Sequence, residues 1–146
     1  NLHVGGSLKG LNINGNGFNN SKLQVLGTAN IDNFKLENSQ VYIERAASFG
    51  QINGIEKSTI FVNSDASIKG INFGNNATIC VNGKVDISGS INNNSNGTSN
   101  IYAKSSTNSN VITNTSKFNT ACLKSNPQPN TQGGDIKYTT NFNYIY

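Results

Sequence analysis

The sequence predicts an all-β fold, a short single-stranded β-solenoid (parallel β-helix) of about five coils with a C-terminal aromatic strand or tail packed on its wall. Three observations predict it. Nearly the same line of about 20 residues recurs along the chain, apolar and polar residues alternate within each line, and the composition suits a turn-rich β protein.

The chain has 146 residues, the size of one domain with a modest core. It holds 28 Asn and 15 Gly but only 2 Pro, with 12% of residues charged and 34% apolar. Asn and Gly supply the positive-φ positions that tight turns need, and the low charge argues against a disordered acidic or basic tail. Helix is disfavoured almost everywhere. The absence of Met predicts that Asn1 is not the translated start and that the chain is a processed product or a fragment. No stretch approaches the roughly 20 apolar residues of a membrane span, and no signal peptide is read.

Two consecutive lines show the repeat most plainly. "STIFVNSDASIKGINFGNN" begins at Ser58, and "ATICVNGKVDISGSINNN" begins at Ala77. Ile60, Val62, Ala66 and Ile68 of the first fall above Ile79, Val81, Val85 and Ile87 of the second. Earlier lines place Leu23, Val25, Ala29 and Ile31 after Ser21, and Val41, Ile43, Ala47 and Phe49 after Ser39. Leu2, Val4 and Leu8 make a first line, and Ile101 with Ala103 starts a last one after Thr98. The starts Ser21, Ser39, Ser58, Ala77 and Thr98 are spaced by 18, 19, 19 and 21 residues. Each line closes on a second apolar group: Phe34 and Leu36, Ile52 and Ile55, Ile71 and Phe73, then Ile91. A strand showing one face to a core has this alternation, and lines too short to bury that face alone must stack on their neighbours. An antiparallel sandwich also has alternating strands, but it does not require whole lines to repeat in register. Small residues at Gly27, Ser64 and Gly83 are expected at corners, where the chain bends sharply.

The organisation read from this is a solenoid over residues 1–103 and a polar tail over 104–146 that ends in a strand. From Lys104 to Gly134 the tail is rich in Ser, Thr and Asn and resembles linker. Its end does not: Tyr138, Thr140, Phe142, Tyr144 and Tyr146 alternate onto one aromatic face. The solenoid offers that face a partner, because Gln24, Tyr42, Phe61, Cys80 and Tyr102 occupy one outward position in successive lines. Two cysteines and a lone His3 do not fit zinc spacings, which leaves one disulfide or two free thiols. An Asn-rich, low-charge chain with an even cysteine count looks secreted, and a Cys80–Cys122 disulfide pinning the tail to the wall is the expectation.

No enzyme is legible. His3 lacks a nucleophile and an acidic orienter. The carboxylates Asp32, Glu37, Glu44, Glu56, Asp65, Asp86 and Asp135 do not fall on adjacent outward positions, and Lys84 beside Asp65 reads as a surface ion pair. The Asp residues do not recur in the register of calcium-binding nonapeptide repeats. Neither a cofactor nor a metal site is expected. Candidate binding residues are the stacked aromatics Tyr42, Phe61 and Tyr102, which could stack on sugars or bases or serve as a wall beneath the tail. Lys104, Lys117, Lys124 and Lys137 complete the set. They give residues 104–146 a net charge of +3 out of the chain's +4, a charge that could contact phosphates or be simply solvated.

The lines "LHVGGSLKGLNING", "ATICVNGKVDISGSI" and "STIFVNSDASIKGI" resemble, over roughly residues 1–103, the β-solenoid of minor pilins and other proteins of type IV pilus and competence systems. More distantly they resemble bactofilin (polymer-forming) repeats. The pilus resemblance implies an exported, disulfide-bearing, non-enzymatic structural or adhesion subunit at the bacterial surface, whose partners are other pilus or cell-surface subunits. DNA or a glycan is the alternative partner. The bactofilin resemblance implies a polymer-forming scaffold, from which the two cysteines and the aromatic tail depart.

Overall fold

The computed structural model describes residues 1–12, 17–123 and the backbone of 143–144. Its strands in chain order are β1 (Leu2–Val4), β2 (Leu8–Leu11), β3 (Phe18–Asn19), β4 (Lys22–Val25), β5 (Ala29–Glu37), β6 (Gln40–Ile43), β7 (Ala47–Glu56), β8 (Thr59–Val62), β9 (Ala66–Phe73), β10 (Thr78–Ile87), β11 (Ile91–Asn93), β12 (Asn100–Ser106), β13 (Val111–Ile112) and β14 (Asn143–Tyr144). Every pairing among them is parallel. The chain is a β-solenoid of about five coils, as the repeat predicts.

Each coil contributes to three ladders of strands. The first, called the wall here, stacks β1, β4, β6, β8, the start of β10, β12 and β13. Its register runs Leu2, Leu23, Val41, Ile60, Ile79, Ile101 and Val111, so the lines superimpose residue for residue. A second ladder stacks Leu8, Ala29, Ala47, Ala66 and Val85. The third stacks Phe34, Ile52, Ile71 and Ile91, the second apolar group of each line. All three send their alternate side chains into one continuous core. Ile31, Phe34, Ile43, Ile52, Ile60, Val62, Ile71 and Ile79 are fully buried there. Burial of a Val, Leu, Ile or Phe side chain is worth about 1.5–3 kcal/mol, and repeating it in every coil makes stacking the principal stabilising term.

The corner from third ladder to wall is built the same way in successive coils. Asn20, Asn38, Lys57 and Asn76 take positive φ, from 48° to 57°, each one residue before Ser21, Ser39, Ser58 and Ala77. Among non-glycine residues asparagine takes this conformation most readily, whereas lysine rarely does. The serine that follows is a clamp. The Ser39 hydroxyl donates to the Glu37 carbonyl (2.8 Å) and accepts from the Ser21 N–H of the preceding coil (3.1 Å). Ser58 repeats this on the Glu56 carbonyl (2.7 Å) and the Ser39 N–H (2.9 Å). In the last coil the clamp is Ser99, which accepts from the Ala77 N–H (3.0 Å). The last line therefore starts at Ser99, not Thr98, because its corner loop is one residue longer than the spacing suggests.

Gly27, Ser64 and Gly83 lie at the corner between wall and second ladder, as expected. At Gly83 a Cβ would stand 2.3 Å from Asp65 Oδ1 and 2.8 Å from the Ser64 backbone, so the coils approach there too closely for any side chain.

From residue 104 to residue 123 the chain forms regular structure rather than linker. β12 continues to Ser106, β13 adds one more strand to the wall, and a helix follows. Helix α1 (Thr115–Phe118) is capped by Asn114, whose side chain accepts from the Lys117 N–H at 3.0 Å, and runs into a π-helical turn at Asn119–Leu123. No helix among the described residues is long and apolar enough to cross a membrane. At the other end, β14 pairs with β1, Leu2 opposite Asn143 and His3 opposite Tyr144, so its two residues extend the wall ladder at its edge. Tyr138, Thr140, Phe142 and Tyr146, the rest of the expected aromatic strand, lie outside the described residues.

Candidate functional site

Two surfaces gather the candidate residues: the outside of the wall with its cover, and the corner groove beside it. On the outside of the wall the register stacks His3, Gln24, Tyr42, Phe61, Cys80 and Tyr102, as the line alignment predicts from Gln24 onward. Tyr42 and Phe61 lie ring on ring, with centroids 5.5 Å apart and planes 7° from parallel. His3 joins the stripe as a polar member, its Nδ1 2.9 Å from Gln24 Oε1.

Cys80 is bonded to Cys122. The bond brings α1 and the π-helical turn down on the wall, and Phe118 closes a second apolar cluster with Tyr42, Phe61, Cys80 and Cys122. Tyr42 is 4% exposed; Phe61, Cys80 and Phe118 are completely buried. The stripe is thus a packed wall, and Tyr42 and Phe61 are not open rings for stacking on sugars or bases. Tyr102 alone of the three candidate aromatics is half-buried. Among the described residues the cover over Tyr42 and Phe61 is Phe118 of a helical segment, and the aromatic strand expected there lies, apart from the backbone of Asn143 and Tyr144, outside the described residues. The sequence carried a signal for this in Phe118, the one large apolar residue between Ile112 and Cys122.

The cover draws two candidate lysines to this end of the wall. Lys104 Nζ stands 4.4 Å from the centre of the Phe118 ring, a cation–π contact from a solvated ammonium. Lys117 borders an open cleft of about 280 Å³ with Tyr102, Ser116, Thr120 and Ala121. Lys124 and Lys137 lie outside the described residues.

Carboxylates are arranged otherwise than the sequence suggests. The ion pair of Lys84 is with Asp86 (3.1 Å), two residues along the same strand and more than half exposed on both sides. Asp65 instead accepts from the Lys84 backbone N–H at 2.8 Å, an arrangement its corner position dictates. Glu37 and Glu56 do stand directly opposite one another, contrary to expectation, on β5 and β7. Both are half-buried, and two like charges at one strand spacing repel. Among the described residues no three His, Cys, Asp or Glu side chains converge as a metal would require. Glu44 is a structural acceptor, taking hydrogen bonds from the Tyr42 hydroxyl and from Asn63 Nδ2, which in turn leads to Asn82.

The second surface is an open groove of about 360 Å³ along the corner between third ladder and wall. Asn20, Asn38 and Lys57 line it from the positive-φ positions, and Lys22, Gln40 and Thr59 from the first residues of β4, β6 and β8. Nothing in composition points to this groove; it follows from equal corners stacking in register. No protein-family model, curated protein or solved structure matches the chain.

Proposed function

We propose that this chain is a non-enzymatic structural and adhesion module working outside the cell, as a pilus-associated or cell-surface subunit. The observation that carries the reading is the Cys80–Cys122 bond between the solenoid wall and its helical cover. Such a bond persists in oxidising compartments and is rare where thiols are kept reduced. Its placement supports the same view: it locks a cover over an aromatic wall that would otherwise be an exposed apolar patch. A parallel-stacked solenoid whose polar ladders face outward suits display and contact more than turnover. Its partners on this reading are other surface subunits.

The test joins surface labelling of intact producing cells to the state of the cysteines. A membrane-impermeant amine reagent is expected to label the exposed Lys84 and Lys104 in intact cells, and thiol alkylation of the protein unfolded in denaturant, where the buried sulfurs become accessible, is expected to find both cysteines blocked until reduced. Free thiols in the unfolded protein, or lysine labelling only after lysis, contradicts the proposal.

A further inference from the structure

Along the corner groove a row of hydrogen-bonding side chains has no partner among the described residues. Elsewhere on the solenoid, stacked amides satisfy one another: Asn82 Nδ2 donates to Asn63 Oδ1 at 2.9 Å, and Asn92 Nδ2 to Asn72 Oδ1 at 2.7 Å. The corner serines likewise direct their hydroxyls inward, to Asn19, Glu37 and Glu56 carbonyls. The groove side chains of Asn20, Asn38, Gln40, Thr59, Lys22 and Lys57 have no hydrogen-bond or ion-pair partner among the described residues. Asn20 and Asn38 occupy the same position in consecutive coils yet do not bond to each other. One coil further, Asn76 at φ 57° and Thr78 continue the pattern.

The spacing of these groups is set by the sheet, at about 4.8 Å per coil. An extended β-1,4-linked sugar chain advances one ring in a slightly longer interval, with alternate rings turned over, so over the few coils of the groove each coil would meet one sugar. Sugar hydroxyls both donate and accept, and Asn and Gln amides answer both roles, with Thr and Lys adding to them. A nucleic acid fits less well: the groove has no aromatic platform for bases and only two lysines for phosphates. We infer that the groove binds an extended β-1,4-linked glycan lying parallel to the solenoid axis, one sugar to a coil. This gives the proposed surface module a ligand, and rests on that reading only in requiring the protein to meet glycan outside the cell.

The experiment is an amide-resolved NMR titration of the purified chain with cellohexaose and with N-acetylchitohexaose, each beside its disaccharide, at millimolar concentration. At least one hexamer is expected to shift the amides of residues 20–22, 38–40 and 57–59, and to bind about tenfold more tightly than its disaccharide, which spans fewer coils. Whichever hexamer binds identifies the sugar. The double variant Asn38→Gly/Gln40→Ala removes two amides while glycine keeps the positive φ, and is expected to weaken binding about tenfold. Should that variant lose its dispersed spectrum, Gln40→Ala alone decides, with an expected loss of about threefold. Four results overturn the inference: no shift from either hexamer, shifts confined to other surfaces such as the Tyr102 cleft, undiminished binding by the variants, or displacement of the hexamer by oligothymidylate at low salt. Each leaves the reading of cellular location intact, because that rests on the cysteines.

Discussion

Single residues at the corners decide how closely the coils can stack. Lys57 sits at φ 48° where its counterparts are Asn20, Asn38 and Asn76. A left-handed backbone costs an ordinary L-residue about 1–2 kcal/mol, and asparagine is several-fold enriched in it where lysine is not. Lys57→Asn is therefore expected to stabilise the protein by about 1 kcal/mol, read as a raised midpoint in urea at unchanged slope. The clamp serines carry the opposite expectation. Ser39→Ala leaves the Ser21 N–H without its partner, while the Glu37 carbonyl keeps its bond from the Asn20 N–H (3.1 Å), and a cost of about 1–3 kcal/mol is expected in the same measurement. A change below a few tenths would show that these hydroxyls are replaceable by water. The turn role of Asn was legible in the sequence because positive φ is a local property. The clamp was not, since Ser39 acts on a residue 18 positions earlier. Nor was the Glu37–Glu56 pair. The two register shifts of β7 with its neighbours reflect an extra residue near Gly54, so Glu37 and Glu56 stand at different distances from their own line starts.

Among the elements, the helical cover is the part that sequence periodicity missed. A four-residue helix is too short to show an amphipathic period, and Thr115–Phe118 has none. What could be read was the pairing of an outward Cys80 with Cys122, and the need of Tyr42 and Phe61 for something apolar. The bond closes a segment with a sequence separation of 42, which on the chain-entropy model is worth about 4 kcal/mol. The variant Cys80→Ser/Cys122→Ser is expected to lower unfolding free energy by roughly that much, with slower-exchanging amides of the wall strands β6 and β8 losing protection as the cover detaches. Unchanged stability would mean that Phe118 alone holds the cover in place. The candidate binding residues were legible in position but not in state, because exposure depends on what the tail does. Alignment put Tyr42 and Phe61 on the outer wall correctly, and only the fold shows them buried beneath Phe118.

At the scale of the whole molecule, the architecture was the most legible feature, for a physical reason. A stack of identical short coils makes every inward position a nearest neighbour of its counterpart one line away, so the repeat period is the contact map. The same property puts the corner groove on the surface: equivalent side chains align along the axis whether or not they use one another. Stability of such a stack comes from nearest-neighbour interfaces, and both the surface-module reading and the groove depend on those interfaces being parallel and in register. The most direct test is methyl-to-methyl nuclear Overhauser contact in Ile/Leu/Val-labelled protein. Parallel stacking in the observed register requires cross-peaks along Val41–Ile60–Ile79–Ile101 and along Ile43–Val62–Val81. Absence of the Ile60–Ile79 contact, or a set of contacts in which the order along neighbouring strands is reversed, would contradict the solenoid and everything built upon it.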